Sequence, residues 1–248
     1  LSTICQKIHF YADTRRIDFE NTVDWKEHQH LLKAEFPVDI HSDEATFEIQ
    51  FGNVTRKVHT NTSWDKARFE SCGQKWMDFS EGRYGVSLLN DCKYGHSVHD
   101  GTIGLTLIKC GIEPNPNADV EVHHFTYALY PHGGTWKEAG TVQEAYKLNQ
   151  PAYTVAAGAP GTSRSFAGVD QDNVILETVK QAEDGNGTIF RLYECQNART
   201  NTVLRVPETV TEAYSTNLLE EIEEELPVEN GKIAFTIKPY EIKTILVR

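Results

Sequence analysis

The chain has 248 residues, of which 39% are hydrophobic and 24% are charged. It is long enough to form one large globular domain or two smaller ones, each with its own core. Its formal net charge of −12 argues against nucleic acid and anionic membrane surfaces as partners. No apolar run in the sequence is long enough to span a bilayer.

The N-terminal residues Leu1–Gln6 lack the basic and apolar segments of a signal peptide, and the chain does not begin with Met. We therefore expect a cut piece or a processed product. The cysteines are odd in number, widely scattered and without a CxxC pair; they are Cys5, Cys72, Cys92, Cys110 and Cys195. A reduced, cytoplasmic location is the simplest interpretation of this pattern.

Short runs that alternate polar and apolar residues dominate the first part of the chain and predict β-strands. These runs are Ile8–Tyr11, Arg16–Phe19, Ala45–Phe51, Tyr84–Leu89, Ile103–Ile108 and His123–Tyr130. Gly, Pro and Asn residues separate them. The best helix candidate is Thr141–Leu148. Many short strands separated by turns are typical of a β-sandwich.

A segment rich in small residues, Ala156–Gly168, interrupts this pattern and predicts a linker or a long loop. Further strand patterns follow it. Ala182–Gly187 between two of them predicts a hairpin turn, and the acidic run Glu220–Glu225 predicts a solvated loop or a sheet edge. We therefore predict an all-β fold, with a large antiparallel β-sandwich at residues 1–160 and a smaller C-terminal β-sandwich at residues 169–248.

Motifs that would mark a catalytic centre are missing from the sequence, which contains no GxSxG, no HExxH and no P-loop. The candidate metal ligands are four histidine groups, at His28–His30, His96–His99, His123–His124 and His132. We favour structural roles for them, because a zinc site needs three or four convergent ligands. Among 36 Asp and Glu residues, no pair is marked as the two carboxylates of a glycosidase.

The four tryptophans, Trp25, Trp64, Trp76 and Trp136, have flat apolar faces on which a sugar ring can stack. Each lies in a strand-like neighbourhood, so we favour core packing for all of them. Trp64 fits that interpretation least well because it lies in a polar stretch.

The polar corner Asn90–Gly95 ends an apolar strand pattern, so its side chains crowd at one edge of a sheet. Asn90 and Asp91 accept hydroxyl protons, and Asn90, Lys93 and Tyr94 donate. This set suits a polyhydroxyl ligand, and a solvated β-turn explains the same residues equally well. The candidate substrate-binding residues are therefore Asn90, Asp91, Lys93 and Tyr94.

Five longer motifs occur in order along the chain. They are RRIDFENTVDWKEHQHLLKAEFP (Arg15–Pro37), HTNTSWDKARFE (His59–Glu70), SEGRYGVSLLNDCKYG (Ser80–Gly95), HHFTYALYPHGGTW (His123–Trp136) and KPYEIKTILV (Lys238–Val247). This set resembles the C-terminal β-domains of glycoside hydrolase family 38 α-mannosidases, in particular those of the cytosolic and bacterial branch.

The resemblance implies a retaining double displacement on α-mannosides. It implies that the Asp nucleophile, the acid/base carboxylate and a zinc ion belong to an N-terminal catalytic domain of the same polypeptide. None of the motifs of that domain occurs here, so we assign no catalytic residue, no metal ligand and no cofactor to this chain. We expect it to be inactive alone. The resemblance also implies a large β-domain, galactose-mutarotase-like in architecture, that lends Asn90, Asp91, Lys93 and Tyr94 to the cleft rim.

Two other classes remain open at this point. One is a free-standing carbohydrate-binding or structural β-sandwich module without an attached enzyme. The other is an aldose-mutarotase-like enzyme, which would need a His/Glu pair in one concave sheet. A β-domain that normally packs on a catalytic partner is expected to expose an apolar, polar-rimmed patch near the Asn90–Gly95 corner.

Overall fold

The computed structural model describes residues 1–156, 161 and 163–248. The chain divides into two compact units, Leu1–Tyr153 and Thr154–Arg248. Every strand pairing among the described residues is antiparallel, which confirms the predicted all-β class. The predicted linker Ala156–Gly168 lies partly outside the described residues. Within the described part of the chain, no helix has the length and hydropathy needed to cross a membrane.

The first unit is a sandwich of two sheets. Its elements are β1 (Thr3–Phe10), β2 (Ile17–Asp24), β3 (Leu31–Pro37), β4 (Glu44–Ile49), β5 (Gly52–Lys57), α1 (Ser63–Lys66), β6 (Ser71–Cys72), β7 (Trp76–Ser80), β8 (Tyr84–Asn90), β9 (Gly95–His99), β10 (Thr102–Lys109), β11 (Val122–Gly133) and α2 (Thr141–Asn149). One sheet has the order β1-β2-β11-β8-β7-β4-β5, and the other has the order β3-β10-β9-β6.

The core of the first unit lies between these two sheets. Met77 and Phe79 on β7 share a cluster with Leu88 on β8, and Ile103 and Leu105 on β10 pack against them from the second sheet. All five are essentially buried. Because side chains alternate along a strand, the intervening residues of β7 and β8 point to the opposite side of the seven-stranded sheet, called the outer face here.

Helix α2 covers part of the outer face. It begins after Gly140, whose φ of 69° is a left-handed conformation that favours glycine. Val142 and Ala145 are buried, as the apolar side of a packed helix should be. The helix predicted at Thr141–Leu148 is confirmed and runs one residue further.

Strand β1 is the edge of the seven-stranded sheet and is exposed along most of its length. Ile4, Ile8 and Phe10 share one face of the strand and are 54%, 50% and 75% exposed. Gln6 lies on that same face and donates to the hydroxyl of Tyr127, a core residue, at 2.9 Å. The apolar side of β1 therefore continues the core face of the sheet beyond the part that the second sheet covers.

One predicted strand end falls inside a turn. The run Ala45–Phe51 forms β4 only as far as Ile49, and the chain then turns so that Ile49 pairs with Gly52 on β5. Phe51 has a φ of 55° inside this turn. The apolar side chain of Phe51 continues the alternating sequence pattern, which is why the strand was predicted to include it. In the structure the chain reverses before Gly52, so the strand ends at Ile49.

The second unit is also a sandwich. Its strands are β12 (Gly168–Val169), β13 (Val174–Gln181), β14 (Thr188–Glu194), β15 (Thr200–Arg205), β16 (Ala213–Thr216), β17 (Ile222–Leu226), β18 (Lys232–Ile237) and β19 (Ile242–Val247). They form sheets in the orders β12-β15-β18 and β13-β14-β19-β16-β17. Phe190, Leu192, Leu204, Ile233 and Ile245 join both sheets in one core.

Two local predictions for the second unit are confirmed. β13 and β14 pair as a hairpin around the turn at Ala182–Gly187. The acidic run Glu220–Glu225 lies largely on β17, an outermost strand, where Glu223, Glu224 and Glu225 are exposed.

Candidate functional site

The corner Asn90–Gly95 carries the chain from one sheet of the first sandwich to the other. It follows β8 of the seven-stranded sheet and leads directly into β9 of the four-stranded sheet. The polar residues that end the apolar strand therefore form a crossover at the end of the sandwich.

Asn90 organises this corner from inside. Its side chain is buried, and its Nδ2 donates to the Gln74 carbonyl at 2.8 Å. Its Oδ1 accepts from the backbone N–H of Lys93 at 2.7 Å, and its own carbonyl accepts from Asn149 Nδ2 at 2.9 Å. Because both ends of the amide are used within the fold, Asn90 sets the backbone path of the corner.

The other three candidate residues lie at the surface. Asp91 accepts from the backbone N–H of Thr126 at 2.8 Å, which ties the corner to β11. The Lys93 ammonium lies 4.5 Å from the ring centroid of Phe125, a cation–π contact. Tyr94 is 51% exposed. Asp91, Lys93 and Tyr94 therefore stand at one crossover, while Asn90 lies beneath them.

A buried histidine supports the corner. His96 is fully buried on β9, and its Nδ1 lies 3.2 Å from the Tyr94 carbonyl. Its Nε2 lies 3.5 Å from Asn90 Nδ2. Burial lowers the pKa of His96 to about 4, so the ring is neutral at pH 7. A neutral ring donates from Nδ1 to Tyr94 and accepts at Nε2 from Asn90, which matches the geometry.

The thiol of Cys92 lies between two of the candidate residues. Desolvation and the neighbouring Asp91 carboxylate raise the pKa of this thiol to about 11. Since the thiolate is the nucleophilic form of cysteine, this side chain is unreactive near neutral pH.

A second polar cluster lies on the outer face beneath α2. Asp78 on β7 accepts from Ser80, from Ser87 Oγ at 2.8 Å and from His132 Nε2 at 2.8 Å. Ser87 also lies 2.8 Å from Thr141 Oγ1 at the start of α2. Asp78 and His132 are 2% and 3% exposed. The three donors meet the hydrogen-bonding needs of the buried Asp78 carboxylate. Through Ser87 and Thr141 the same network connects three strands with helix α2.

Gly85 makes room for this cluster. It pairs with His132 on one side and with Ser80 on the other. A Cβ at this position would lie 2.5 Å from His132 Cε1, so a larger residue would collide with the ring.

Sequence reasoning missed this cluster, although it treated His132 as a structural residue. The available signal was Asp78 itself, a charged residue between Met77 and Phe79 in a strand whose other residues are apolar or small. Charged residues in buried strands need a partner. Finding that partner requires the strand pairing, because His132 is 54 residues away.

A cleft opens beside the cluster, on the first unit. Arg16 crosses its wall and forms a two-point contact with Asp18, at 2.7 Å from Nε and 3.0 Å from Nη2. Its Nη1 lies 3.4 Å from the Glu144 carboxylate on α2. Tyr11 donates to Asp18 at 2.9 Å. These contacts fix the loop between β1 and β2 to the helix.

The remaining sequence candidates are the metal ligands and the tryptophans. Among the described residues, no group of three His, Cys, Asp or Glu side chains is placed to hold a metal ion. Trp25, Trp76 and Trp136 are buried, as the core interpretation predicts. Trp64, on α1, is 85% exposed, so core packing is wrong for that residue.

Comparison with known proteins extends these observations. Residues 1–117 match the "Glycosyl hydrolases family 38 C-terminal domain", and residues 173–245 match the "Glycosyl hydrolases family 38 C-terminal beta sandwich domain". An alpha-mannosidase structure from Enterococcus faecalis aligns with 98% of this chain and 28% of its own, with a TM-score of 0.80 and 22% identity. That likeness shows that the two share a fold.

Curated relatives match along nearly the whole chain. Alpha-mannosidase 2C1 of Homo sapiens is 39% identical over 99% of this chain and 24% of its own length. Alpha-mannosidase G of Dictyostelium discoideum is 37% identical over 98% of this chain and 23% of its own length. The chain spans about a quarter of the length of these relatives and matches the C-terminal part of the family, so it belongs to glycoside hydrolase family 38.

Proposed function

We propose that this chain acts as the C-terminal, non-catalytic region of a retaining α-mannosidase, packed on an N-terminal catalytic domain of the same polypeptide. The observation that carries the proposal is coverage. The relatives match nearly the whole of this chain, and the chain spans only about a quarter of their length. In this proposal the two units act as the large and the small β-domain, at about the predicted residues 1–160 and 169–248.

The proposed role of the Asn90–Gly95 corner is to form part of the substrate cleft rim. Asp91 offers carboxylate oxygens, Lys93 an ammonium and Tyr94 a hydroxyl, and these are the groups that bind sugar hydroxyls. Asn90 would position them without touching substrate, since its amide is used inside the fold. Substrates of this class would be α-mannosides or mannose-containing oligosaccharides, which places the protein in carbohydrate metabolism.

The exposed side of β1 is the proposed contact for the catalytic domain. Ile4, Ile8 and Phe10 form an apolar row on an edge strand, and such edges are normally covered or blunted. β1 pairs with β2, which pairs with β11, where Phe125 contacts Lys93. The apolar row and the corner thus belong to the same end of one sheet.

The zinc ion of the family would be held outside this chain. The described residues of this chain bring no three potential ligands together, so they do not fit a zinc site. A cytoplasmic location is supported by the five cysteines, which are all free thiols in the structure.

The rim proposal is tested by Lys93→Ala in the full-length protein. A hydrogen bond to a charged donor is worth about 1.5–3 kcal/mol. We therefore expect kcat/KM for an aryl α-mannoside to fall roughly ten- to a hundredfold, at about 1.4 kcal/mol per decade, with little change in the thermal midpoint.

Two further variants sharpen this test. Lys93→Met keeps an unbranched side chain against Phe125 and removes the charge, so it should show the same kinetic loss. Lys238→Ala, at an exposed lysine of the second unit, should behave as wild type. Wild-type kcat/KM in correctly folded Lys93→Ala and Lys93→Met would reject the rim role.

A further inference from the structure

Asparagine followed by glycine is a chemically labile pair, and the sequence contains it twice. The two pairs are Asn186–Gly187 and Asn230–Gly231. Both lie in turns of the second unit, and both asparagines are exposed. The lability arises because the backbone nitrogen of the glycine attacks the asparagine side chain, and glycine has no Cβ to hinder the approach. The structure distinguishes the two pairs by the surroundings of the peptide group that reacts.

The fold requires glycine at position 187. Gly187 has a φ of 126°, which side chains rarely adopt, and a Cβ there would lie 2.5 Å from the Val247 carbonyl oxygen. Gly187 also closes the hairpin between β13 and β14, since its carbonyl accepts from the Ala182 N–H at 3.1 Å. A larger residue that would protect Asn186 by hindering the attack therefore cannot stand at this position.

The peptide group between Asn186 and Gly187 contacts a cation. Nε of Arg248 donates to the Asn186 carbonyl at 3.1 Å. The N–H of this peptide group, on Gly187, has no hydrogen-bond partner within the described part of the chain. When it loses its proton, negative charge develops on the carbonyl oxygen, and the guanidinium stabilises that charge. The Asp184 carboxylate lies 3.8 Å from the guanidinium and is exposed, so it offsets this effect only in part.

Asn230 lacks this arrangement. Its turn is closed by two backbone hydrogen bonds of 3.0 Å between Glu229 and Lys232. The carbonyl of Gly231 accepts from the Val206 N–H at 2.9 Å, but the carbonyl of Asn230, which belongs to the reacting peptide group, accepts from no described residue. The two pairs therefore share the dipeptide and differ in the cation.

We propose that Asn186 is a site of spontaneous deamidation, promoted by Arg248 and modified ahead of Asn230. The Gly187 amide proton passes to hydroxide, and the nitrogen anion forms a bond to Cγ of Asn186. The side-chain nitrogen takes a proton from water and leaves as ammonia. Water then opens the five-membered imide at either carbonyl, which leaves aspartate or isoaspartate at position 186. Both products add a negative charge to the turn, and isoaspartate also adds a backbone carbon to it. This site does not depend on the function proposed above.

Peptide mapping by mass spectrometry follows both sites while the folded full-length protein is incubated in mildly alkaline buffer. We expect Asn186 to convert faster than Asn230, and the difference to shrink in urea, where Arg248 no longer holds the turn. Asn186→Gln should abolish the product and so identify its peptide. Arg248→Met should slow the conversion of Asn186 roughly three- to tenfold, as expected for a charge-assisted hydrogen bond at a partly exposed site.

Hydrogen exchange supplies a second measurement, because base-catalysed exchange of the Gly187 N–H passes through the same amide anion. Arg248→Met should slow this exchange by a similar factor. Arg205→Met, at an exposed arginine of the other sheet, is the matched control and should leave exchange and conversion unchanged. Conversion of Asn230 as fast as that of Asn186 in the folded protein, or a rate at Asn186 or Gly187 that fails to slow in Arg248→Met, would overturn the proposal.

Discussion

At the scale of single residues, the corner illustrates how a buried side chain controls exposed ones. Asn90 and His96 are both inside the fold, and each binds backbone groups of the corner that presents Asp91, Lys93 and Tyr94. Changes in the buried pair should therefore reach the exposed residues through the backbone.

The buried His96 predicts acid sensitivity. Burial holds its pKa near 4, and nearby Arg56 acts in the same direction, while its ordinary pKa is about 6.5. Between these values the unfolded chain binds a proton that the folded chain excludes. The free energy of unfolding should therefore fall as pH drops from about 6.5 to about 4, by an amount on the order of 3 kcal/mol from this residue.

Denaturant unfolding between pH 4 and 7 measures this effect. His96→Gln should unfold more readily at pH 7 but lose less stability on acidification than wild type does. His124→Gln, at an exposed histidine, should keep the wild-type slope. If His96→Gln and wild type lost stability in parallel, the acid sensitivity would have to arise elsewhere.

At the scale of elements, the outer face depends on a close approach of three strands. Gly85 on β8 lies between Ser80 on β7 and His132 on β11, and both side chains lean across it towards Asp78. Because Gly85 has no side chain, Ser80 and His132 can both reach the buried Asp78 carboxylate and donate to it.

Gly85→Ala should therefore destabilise the first unit. Its Cβ would push against His132 and Ser80, and overpacking of this kind costs about 1–3 kcal/mol. Gly82→Ala provides the matched control, because a Cβ there meets no atom within 4 Å. Urea unfolding of both variants gives the comparison, and equal midpoints for the two would contradict the close approach.

The edge strand β1 gives a second prediction at this scale. Ile8→Ser should destabilise the full-length protein by about 1–2 kcal/mol, since burying an aliphatic side chain is worth roughly 1.5–3 kcal/mol and this one is half exposed in the separate chain. The separate 248-residue chain should hardly respond. Lys7→Ser, on the opposite face of β1, should be neutral in both. An equal effect of Ile8→Ser in the two proteins would remove the case for a contact on this face.

At the scale of the whole molecule, the described residues form β-sandwiches and place no three His, Cys, Asp or Glu side chains together to hold a metal ion. The purified 248-residue chain should not hydrolyse an aryl α-mannoside, with or without added zinc, because cleavage of this bond requires a pair of placed carboxylates. The full-length protein should do so. Zinc-dependent turnover by the homogeneous chain would show that the catalytic groups lie within it.

The sequence by itself determined the class of fold and most of its elements. The local pattern of apolar, polar and turn-forming residues correctly predicted strands such as β10, the helix α2 and the hairpin between β13 and β14. It was less reliable where a turn carries an apolar residue, as at Phe51, and for the exposed β1, whose first residues alternate only weakly.

Only the tertiary structure decided which polar groups meet. Asp78, Ser87 and His132 come from three strands, and their pairing depends on long-range register that periodicity does not contain. The same holds for His96 beneath the corner and for Asn90, which the sequence grouped with three exposed neighbours and the fold places inside. Alternation tells which side of a strand a residue faces, but the strand order and register of the sheet determine which residues it contacts on that side.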